Sequence, residues 1–509
     1  MITKLADTDF YAISIVINDA ISTYKNVNVT DYWEKIRVFT EDHVQNVQFY
    51  GLKEGNLLVA VMGVQIVDDT VALISHVYVL ANQQRKGYGK KLLNYLMNST
   101  KASTFLVCIP KTAFLAANFY SKYGFKETSK EEKNLMLHTY WNTFEHQNEQ
   151  LIVLKIQKQK TILLQINPEN PDPAKIQIAV EIIKKGGLVA FPTETVYGLG
   201  ANALNSNAVL ALFKAKNRPL DNPPILHVAN NSQVYQLVKE VPKNAKILMN
   251  NFWPGPLTLI FKRSKTIPKE VTAGLDTIAI RMPSNNIALA LIKQSNVPIA
   301  APSANLSGTP SPTTAQHVYD DLNGKIDVIL DGGQTIIGVE STVIDLSVDP
   351  PLLLRPGGIS LENIQTVLPN VVLHPFVTSE QDLTIKYAHS PGMMHKHYAP
   401  NANVILIEGT VPEIISKITI LSEQYTREGK KVGILATDET QKNYAAYLVK
   451  SMGSRSNLNT IANKLFKALR EFNENSVDII LAEGIPIEGM GLAIMNRLRK
   501  ASGYHIIKT

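Results

Sequence analysis

A set of short motifs between residues 192 and 358 constrains the fold of this chain more than any other feature of its sequence. The first motif directly follows an apolar, strand-like segment, and ligand crevices of open α/β sheets lie at such strand ends. The motifs therefore predict an α/β domain with a polar site built from its loops. They read P-T-E-T-V-Y-G-L-G (192–200), K-A-K-N-R-P-L-D-N-P (214–223), A-P-S-A-N (301–305), G-V-E-S-T-V-I-D (338–345) and L-R-P-G-G (354–358).

Length and composition set the scale of the fold. The chain has 509 residues, which is too long for one hydrophobic core, and domains of about 100–200 residues suggest about three of them. Hydrophobic residues make up 45% and charged residues 19%, which is ordinary for globular protein. The net charge of +7 fits anionic ligands such as ATP or tRNA, but it is spread over the whole length and identifies neither.

Cysteine usage and the N-terminus indicate the compartment. Cys108 is the only cysteine, which excludes a disulfide framework and any multi-cysteine zinc site, and its apolar surroundings predict an inert buried thiol. Residues 1–10 contain two aspartates and do not resemble a secretory signal. No stretch approaches the roughly 18 apolar residues of a membrane span. We therefore predict a soluble, cytoplasmic protein with no membrane contact.

The first segment, residues 1–157, alternates strand-like and helical patterns, and a polar stretch precedes its last predicted strand. The strand-like runs cover 57–67, 72–80, 104–109 and 151–156, and the helical patterns cover 90–101 and 113–123.

The second segment, residues 161–375, begins with a helix whose ends are marked. Asp172 is an N-cap residue, Pro173 suits the first helical position, and Gly186 is a stop signal. Several short, apolar, strand-like runs follow this helix, and together they predict an α/β domain around a large twisted sheet. They are predicted at 188–191, 225–228, 257–261, 278–282, 298–301, 328–330, 342–346 and 352–354.

Residues 376–402 show no convincing periodicity, and a segment of this length predicts a linker or a functional loop. The third segment, 403–509, alternates strands and helices, which predicts a small parallel Rossmann-like sheet. No G-x-G-x-x-G follows its first strand, so no dinucleotide site is predicted there. The strands are predicted at 404–407, 431–436 and 477–482, and the helices at 411–427, 460–472 and 492–500.

The motifs of residues 192–358, in this order, closely resemble those of the YrdC-like family of L-threonylcarbamoyladenylate synthases. The resemblance implies that the central domain makes threonylcarbamoyl-AMP from L-threonine, bicarbonate and ATP, the first step of a tRNA modification. It also implies a downstream threonylcarbamoyl transferase acting on tRNA as a partner. The ending L-A-I-M-N-R-L-R-K-A (492–501) resembles the C-terminal domain of the long form of this family.

Lys216 and Arg218 are the candidate catalytic residues of the central domain. They are two positions apart and precede Pro219, so in an extended segment their side chains point the same way. Such a pair can bind a triphosphate through the compact ammonium charge of the lysine and the planar guanidinium group of the arginine. The alternative, a solvated basic face, is disfavoured because D-N-P and His227 follow them as in the family.

The resemblance further implies which side chains contact each substrate, with Tyr197 lying beside Thr195. The implied threonine pocket contains Thr195, His227, Arg281, Ser303 and Ser341. The implied ATP contacts are Lys216, Arg218, Asn222, Asn305, Ser311 and Arg355, with Thr277 and Thr313 as further candidates.

The resemblance implies a mechanism without a covalent nucleophile. The amine of threonine adds to bicarbonate, and the resulting N-carboxylate attacks the α-phosphate. The enzyme supplies mainly positioning and positive charge. Mg²⁺ is implied by the triphosphate, whereas no dedicated metal-binding residues are predicted.

The linker contains His389, His395 and His397, and an H-x-H pair could bind a transition metal. The flanking S-P-G-M and H-Y-A-P sequences instead resemble the linker of the long-form family. Its tyrosine, here Tyr398, is expected to reach back over the nucleotide, with the linker forming a lid over the active site.

The run Q-R-K-G-Y-G resembles the acetyl-CoA loop of GNAT N-acetyltransferases, in which glycines let the backbone approach the pyrophosphate at a helix start. The later A-A-N-F-Y-S-K-Y-G-F (116–125) matches the family helix that carries the proton donor, here Tyr120. The family often has Asn where this chain has Ala113. The resemblance implies acetyl-CoA contacts at Gln84, Arg85, Lys86, Gly87, Tyr88 and Gly89.

Two alternatives belong to other function classes. Carbamoyl transfer in hydrogenase maturation reuses the YrdC-like fold, but it requires upstream zinc-finger cysteine pairs that one cysteine cannot supply. A catalytically inactive module that binds tRNA or double-stranded RNA is the second alternative, because YrdC-like domains have a basic concave face. An ATP–pyrophosphate exchange assay separates the second alternative from the enzyme.

Overall fold

The computed structural model describes residues 2–22, 47–141, 148–157, 160–265, 267–378 and 398–509. The chain divides into two compact units, residues 1–159 and 160–509. The histidines at 389, 395 and 397 and most of the predicted linker lie outside the described residues. No described helix combines the length and the apolar character needed to cross a membrane.

The first unit contains one seven-stranded sheet in the order β1-β2-β3-β4-β5-β7-β6. Its strands are β1 (Ile2–Lys4), β2 (Gln48–Glu54), β3 (Leu57–Ile66), β4 (Val71–Val79), β5 (Thr104–Pro110), β6 (Lys126–Glu127) and β7 (Leu151–Gln157). Its helices are α1 (Phe10–Ser22), α2 (Tyr88–Ser99), α3 (Phe114–Lys122) and α4 (Lys130–Trp141). Helix α4 lies within the stretch predicted as merely polar, and it packs Leu137 against the sheet.

Strands β4 and β5 are parallel neighbours whose pairing stops early. Val71–Leu73 pair with Thr104–Leu106, while both strands continue beyond the last pair. The other strand pairs of this sheet are antiparallel. Cys108 lies on β5 and is half-buried rather than buried, and desolvation raises the pKa of its thiol to about 12, which makes it unreactive.

The central domain (residues 160–378) is built on an eleven-stranded mixed sheet in the order β18-β17-β16-β12-β13-β11-β14-β10-β9-β15-β8. Its strands are β8 (Ile162–Gln165), β9 (Val189–Pro192), β10 (Tyr197–Asn202), β11 (Leu226–His227), β12 (Leu257–Lys262), β13 (Thr277–Arg281), β14 (Ile299–Ala300), β15 (Val328–Asp331), β16 (Thr342–Asp345), β17 (Leu352–Arg355) and β18 (Val372–Leu373). Its helices are α5 (Pro173–Lys184), α6 (Ser206–Lys216), α7 (Asn231–Leu237), α8 (Lys243–Phe252), α9 (Lys269–Thr272), α10 (Asn286–Ser295), α11 (Ala315–Leu322), α12 (Leu361–Gln365) and α13 (Pro375–Thr378).

The first helix of the central domain begins and ends where its sequence signals predict. The carboxylate of Asp172 accepts a hydrogen bond from the Ala174 amide at 2.9 Å, and Pro173 occupies the first turn. Gly186 has a φ of 84°, a left-handed conformation that ends the helix. Ile176, Val180 and Ile183 are buried on one face of this helix.

Strand β10, with the sequence Y-G-L-G-A-N, was not among the predicted strands. A side chain at Gly200 would lie 2.8 Å from both Ile299 and Phe191. Glycine is therefore required for these neighbours to pack against the strand, and it does not mark a turn here.

The C-terminal domain (residues 398–509) contains a five-stranded parallel sheet in the order β21-β20-β22-β19-β23, as predicted for a small Rossmann-like domain. Its strands are β19 (Asn403–Glu408), β20 (Val432–Ala436), β21 (Leu448–Ser451), β22 (Ile479–Glu483) and β23 (Ile506–Lys508). Its helices are α14 (Val411–Arg427), α15 (Leu458–Glu474) and α16 (Met490–Ala501). Strands β21 and β23 were not predicted.

Helices α15 and α16 pack the C-terminal domain against loops of the central domain. A side chain at Gly338 would lie 2.4 Å from the carbonyl oxygen of Ala462, so glycine allows α15 to approach this loop closely. Asn463 donates hydrogen bonds to the carbonyl oxygens of Thr335 and Ile336. The two domains therefore share one packed interface.

Candidate functional site

A polar cleft lies where the loops of the central domain meet the C-terminal domain. It encloses about 710 Å³ of space between atoms, which includes open solvent at its mouth. The predicted residues that line it are Thr195, Lys216, Arg218, His227, Arg281, Ser303, Asn305, Ser311, Ser341, Arg355 and Tyr398. The sequence motifs thus converge on one cavity, although they are spread over more than half of the central domain.

Lys216 is the last residue of α6, which ends there because Asn217 adopts a left-handed conformation with φ 52°. Its ammonium group donates to the carbonyl oxygens of Ser303 and Asn305, which connects the K-A-K-N-R and P-S-A-N motifs. Burial lowers the pKa of Lys216 well below its usual value, and the nearby charge of Arg218 lowers it further. An anionic ligand in the cleft would favour the charged form of this lysine.

Arg218 is held in place by Asn222. The Nε of Arg218 donates to the Asn222 carbonyl oxygen at 2.9 Å, and its Nη2 donates to the Asn222 side-chain oxygen at 2.6 Å. Burial lowers the pKa of Arg218 to about 10, so the group is still a cation at neutral pH. Asn222 itself does not line the cleft, so in this arrangement it orients the guanidinium group.

Arg281 and Thr195 lie together in one part of the cleft. The Nη2 of Arg281 is 2.6 Å from the Oε1 of Glu194, and its Nη1 donates to the Thr195 hydroxyl at 2.9 Å. The hydroxyls of Thr193 and Thr195 are hydrogen-bonded at 2.8 Å. Because Glu194 offsets the charge of Arg281, this part of the cleft is close to neutral while still offering hydroxyl and guanidinium groups.

His227 lies on β11, next to Arg281 of the parallel strand β13. Its Nδ1 is 3.2 Å from the carbonyl oxygen of Ile225, and its ring contacts Phe191 edge-on. Burial lowers the pKa of His227 to about 3, with a further contribution from the charge of Arg281. The imidazole is therefore neutral at physiological pH.

The P-S-A-N loop is braced by its own side chains. The Ser303 hydroxyl donates to the Asn305 side-chain oxygen at 2.6 Å, and the Asn305 amide donates to the Thr309 carbonyl oxygen at 2.8 Å. These bonds fix the carbonyl oxygens to which Lys216 donates. The loop therefore positions the lysine as well as presenting its own polar groups.

Arg355 and Ser341 line the cleft and are hydrogen-bonded to each other. The Nη2 of Arg355 donates to the Ser341 hydroxyl at 3.1 Å, and its Nε donates to the Ser341 carbonyl oxygen at 3.1 Å. The Ser341 hydroxyl is also 2.7 Å from that of Thr258 on β12. Burial lowers the pKa of Arg355 from its usual value.

Glu340 lines the cleft but was not among the predicted site residues. The Ser311 hydroxyl donates to its Oε1 at 2.5 Å, and the Arg497 Nε donates to its Oε2 at 3.0 Å. Burial raises the pKa of Glu340, but the charges of Arg497 and Arg355 outweigh burial, so the net pKa is lowered. Glu340 could have been found from the sequence, because it lies in the G-V-E-S-T motif. It was not predicted because a carboxylate is not expected in a site that binds anions.

Tyr398 is buried in the wall of the cleft. Its ring stacks on Phe466 of α15 with centroids 5.3 Å apart, and the guanidinium carbon of Arg497 is 5.8 Å from its centroid. Burial raises the pKa of its hydroxyl. The C-terminal domain therefore supplies the surface on which this tyrosine rests.

Thr277, Thr313 and Tyr197 are not among the residues that line the cleft. Thr277 begins β13 and Arg281 ends it, about 13 Å apart along an extended strand. Thr313 is buried, and its amide donates to the Nδ1 of His317 at 3.3 Å. Tyr197 donates its hydroxyl to the Gly333 carbonyl oxygen at 2.6 Å, so it anchors a neighbouring loop.

The predicted acetyl-CoA loop lies between β4 and α2 in the first unit. Gly87 has a φ of 83°, and a side chain built on it would meet no atom within 4 Å, so the backbone at the start of α2 is open. Arg85 also has a positive φ, 64°. A side chain at Gly89 would lie 3.2 Å from Phe119, so this glycine lets α3 pack closely on α2.

The remaining residues of this site differ in exposure. Gln84, Arg85 and Lys86 lie at the surface, whereas Tyr88 is buried and donates its hydroxyl to the carboxylate of Glu54. Tyr120 is buried among Phe119, Phe125 and the sheet, and burial raises the pKa of its hydroxyl. A neutral hydroxyl is the form that a proton donor requires.

Among the residues that the structure describes, no group of three or more His, Cys, Asp and Glu side chains could hold a metal ion.

Family models match most of the chain. The model described as telomere recombination matches residues 181–357, and that of the threonylcarbamoyl-AMP synthase C-terminal domain matches 359–503. The model of the acetyltransferase (GNAT) domain matches 45–127.

Known proteins resemble the second unit at high identity. The threonylcarbamoyl-AMP synthase of Pyrococcus abyssi is 51% identical over 348 residues, which is 68% of this chain and 99% of the relative. That of Bacillus subtilis is 50% identical over 338 residues, 66% of this chain and 95% of the relative. The crystal structure of P. abyssi Sua5 complexed with L-threonine has a TM-score of 0.66 and 52% identity, covering 69% of this chain and 100% of that one.

The chain therefore belongs to the threonylcarbamoyl-AMP synthase family, with a GNAT domain at its N-terminal side. The predicted fold class and enzyme class are confirmed.

The neutral state of His227 predicts a pH dependence of folding. Its folded pKa of about 3 lies below the value of 6.5 expected when unfolded, so the unfolded chain binds the proton more tightly. The stability that His227 contributes is full above about pH 6.5 and is lost as the pH falls towards 3. Between about pH 6.5 and pH 4 we expect the free energy of unfolding of the second unit to fall by up to about 3 kcal/mol more in the wild type than in His227→Gln.

Chemical denaturation of the full chain at several pH values measures this difference. His317→Gln is the matched comparison. Burial also lowers the pKa of His317, to about 4, but His317 does not line the cleft. Parallel stability curves for wild type and His227→Gln would show that His227 is not held neutral.

Proposed function

We propose that residues 160–509 synthesise L-threonylcarbamoyladenylate from L-threonine, bicarbonate and ATP and release pyrophosphate. This product is the activated donor for threonylcarbamoyl modification of the adenosine beside the anticodon in tRNA. The observation that carries the proposal is the convergence of Lys216, Arg218, Arg281 and Arg355 on one cleft. The family membership supports the same reaction.

In this proposal the nucleotide occupies the side of the cleft that carries Lys216, Arg218 and Arg355. Lys216 and Arg218 bind the triphosphate, and Arg355 adds a further guanidinium group. Asn222 acts by orienting Arg218, as its two hydrogen bonds indicate. Asn305, Ser311 and Tyr398 supply neutral contacts, whereas Thr277 and Thr313 are not among the residues that line the cleft and are assigned no contact.

Threonine occupies the more neutral side. Arg281 binds its carboxylate, and Thr195, Ser303 and Ser341 offer hydroxyl groups to its polar atoms. His227, which is neutral, can exchange hydrogen bonds with threonine without repelling its ammonium form. Because Glu194 holds Arg281 at 2.6 Å, the guanidinium group is fixed before threonine arrives.

The reaction then proceeds by two bond-forming steps. The free amine of threonine attacks the carbon of bicarbonate, which loses water and leaves an N-carboxylate. An oxygen of that carboxylate attacks the α-phosphorus of ATP, the bond from the α-phosphorus to the bridging oxygen breaks, and pyrophosphate leaves. Lys216 and Arg218 offset the charge that builds on the departing pyrophosphate.

Mg²⁺ bound to the triphosphate would neutralise further phosphate charge. Proteins usually bind Mg²⁺ through substrate phosphates and only one or two carboxylates, which does not require a larger cluster of protein ligands.

We further propose that the first unit binds acetyl-CoA. The observation that favours it is the open backbone at Gly87, directly before the N-terminus of α2, where amide groups can meet a pyrophosphate. Tyr120 would protonate the departing thiolate of the coenzyme.

The proposal also covers the cellular location of the protein, its partners and its domain limits. It includes a cytoplasmic location, a downstream threonylcarbamoyl transferase that acts on tRNA, and tRNA or double-stranded RNA as a direct ligand. It also includes the domain limits 1–157, 161–375 and 403–509, with 376–402 as a lid of which the structure describes only the two ends.

Replacing Lys216 or Arg218 by Ala tests the nucleotide subsite. We expect threonylcarbamoyl-AMP formation to fall at least about 100-fold, on the order of 3 kcal/mol of transition-state stabilisation. Lys214→Ala is the control, because Lys214 is an exposed cation on the same helix. Product is measured by mass spectrometry, and ATP–pyrophosphate exchange is followed in parallel. Wild-type turnover in either Lys216→Ala or Arg218→Ala contradicts the assignment.

Gly87→Val tests the coenzyme site of the full chain. A valine would fill the space that the pyrophosphate needs, so we expect calorimetry to show at least about a tenfold loss of acetyl-CoA affinity with adenylate synthesis intact. Gly55→Val is the control, since Gly55 also has a positive φ, 58°, and open surroundings, but lies in the turn between β2 and β3. If the wild-type chain has no affinity for acetyl-CoA, the loop does not bind the coenzyme.

A further inference from the structure

One peptide group of the P-S-A-N loop lies between two charged side chains. The carbonyl oxygen of Asn305 accepts a hydrogen bond from the ammonium group of Lys216. The amide of Leu306, which belongs to the same peptide group, donates to the Oδ2 of Asp321 at 3.1 Å. Because a peptide group is rigid and planar, each of these hydrogen bonds fixes the other. Lys216 and Asp321 are therefore connected by two hydrogen bonds and one peptide group.

The order of these groups is electrostatically favourable. The carboxylate of Asp321 faces the positive end of the peptide dipole, and the ammonium group of Lys216 faces its negative end, so the two hydrogen bonds polarise each other. Burial and the charge of Arg218 lower the pKa of Lys216. The charge of Asp321 raises this pKa, and that of Arg470 lowers it. Asp321 thus favours the ammonium form without touching the lysine.

Arg470 fixes the orientation of Asp321. Asp321 is half-buried on α11, and Arg470 is buried on α15 of the C-terminal domain. The Nη1 of Arg470 donates to the Oδ1 of Asp321 at 3.1 Å, and its Nη2 donates to the Oδ2 at 2.9 Å. Neither residue lines the cleft. Asp321 therefore acts on the cleft through the loop that it holds.

We propose that Asp321 is a positioning residue for the nucleotide subsite: through the peptide group of Asn305 and Leu306 it holds the ammonium group of Lys216 in place for the phosphates of ATP. Arg470 supports this arrangement from the C-terminal domain, because it fixes the carboxylate. Asp321 also favours the positive charge that the phosphates require. This inference rests on the function proposed above.

The threonine side provides an internal comparison. Arg281 has its own carboxylate partner, Glu194, which is separate from Asp321. Loss of the Asp321 charge should therefore weaken ATP and leave threonine largely unaffected. Ser303, a proposed threonine contact, lies in the same loop as the peptide group. A loop that merely became looser would therefore weaken both substrates together.

Calorimetry of the full chain with α,β-methylene-ATP, which cannot release pyrophosphate, tests the proposal with Asp321→Asn. We expect the variant to bind the analogue at least about tenfold more weakly than the wild type at about pH 9, and within about threefold at about pH 5.5. The difference shrinks because Lys216 regains its proton as the pH falls. Threonine affinity should change by less than about twofold at either pH.

The other groups near Lys216 do not obscure this pH dependence. Burial lowers the pKa of His317 to about 4, so this histidine is neutral over the whole range. Burial lowers the pKa of Arg218 to about 10, so Arg218 is largely charged over the same range.

Arg470→Gln is the paired variant, and it carries the test if Asp321→Asn fails to fold. Because Arg470 lowers the pKa of Lys216, its removal has the opposite electrostatic effect. The affinity of Arg470→Gln for the analogue, relative to the wild type, should therefore rise from about pH 5.5 to about pH 9, whereas that of Asp321→Asn should fall. Both variants lose the same ion pair, so a role in folding alone would affect them alike.

Asp320→Asn is the matched control. Asp320 is the neighbouring carboxylate on α11, is exposed, and accepts a hydrogen bond from Gln316 at 2.7 Å. We expect this variant to bind the analogue and threonine as the wild type does at every pH.

Three results overturn the proposal. They are a loss of analogue affinity in Asp321→Asn that does not vary with pH, an equal loss of threonine affinity, and a pH dependence of the same sign in Asp321→Asn and Arg470→Gln. A wild type that binds the analogue but forms no threonylcarbamoyl-AMP would refute the proposed function alone. A wild type that does not bind the analogue would refute both.

Discussion

Burial of several cations around one cleft is the constraint on which the second unit depends. Lys216, Arg281 and Arg355 are buried and Arg218 is half-buried, which is unfavourable unless fixed acceptors replace the solvent. Main-chain carbonyl oxygens supply them for Lys216 and Arg218, and Glu194 supplies one for Arg281. The loops that carry the motifs are therefore held rigid by the charges they surround, which prepares the cleft for an anionic substrate without further reorganisation.

The C-terminal domain belongs to the same electrostatic arrangement. Arg470 of α15 makes a two-point pair with Asp321, whose carboxylate accepts a hydrogen bond from the amide of Leu306 in the loop beside the cleft. The Nη2 of Arg470 also donates to the carbonyl oxygen of Pro310 at 2.6 Å. With Arg497 on α16, each of two packed helices thus fixes part of the cleft. The C-terminal domain adds mainly Tyr398 to the cleft lining, yet through these ion pairs and hydrogen bonds it also fixes the position of cleft residues.

The sequence predicted the parts of the site that short motifs encode. The two cations Lys216 and Arg218 could be found because they stand two positions apart beside characteristic neighbours. Thr277 was a candidate nucleotide contact, but it begins β13 whereas the cleft-lining Arg281 ends that strand, an orientation that the sequence alone does not reveal. Arg497 was quoted within a C-terminal resemblance without a role, since an ion pair with Glu340, 157 positions away, depends on tertiary packing that no local pattern records. The fold class followed from the alternation of strands and helices, whereas β10 was missed because its glycines serve packing.

The most direct test of the proposed function is to measure product formation. The full chain is incubated with L-threonine, ¹⁴C-bicarbonate and ATP, and the products are separated and identified by mass and radioactivity. We expect a labelled threonylcarbamoyl-AMP that requires all three substrates and appears with an equal amount of pyrophosphate. Folded protein that binds ATP but forms no such product, or that releases AMP at the same rate without threonine, would contradict it.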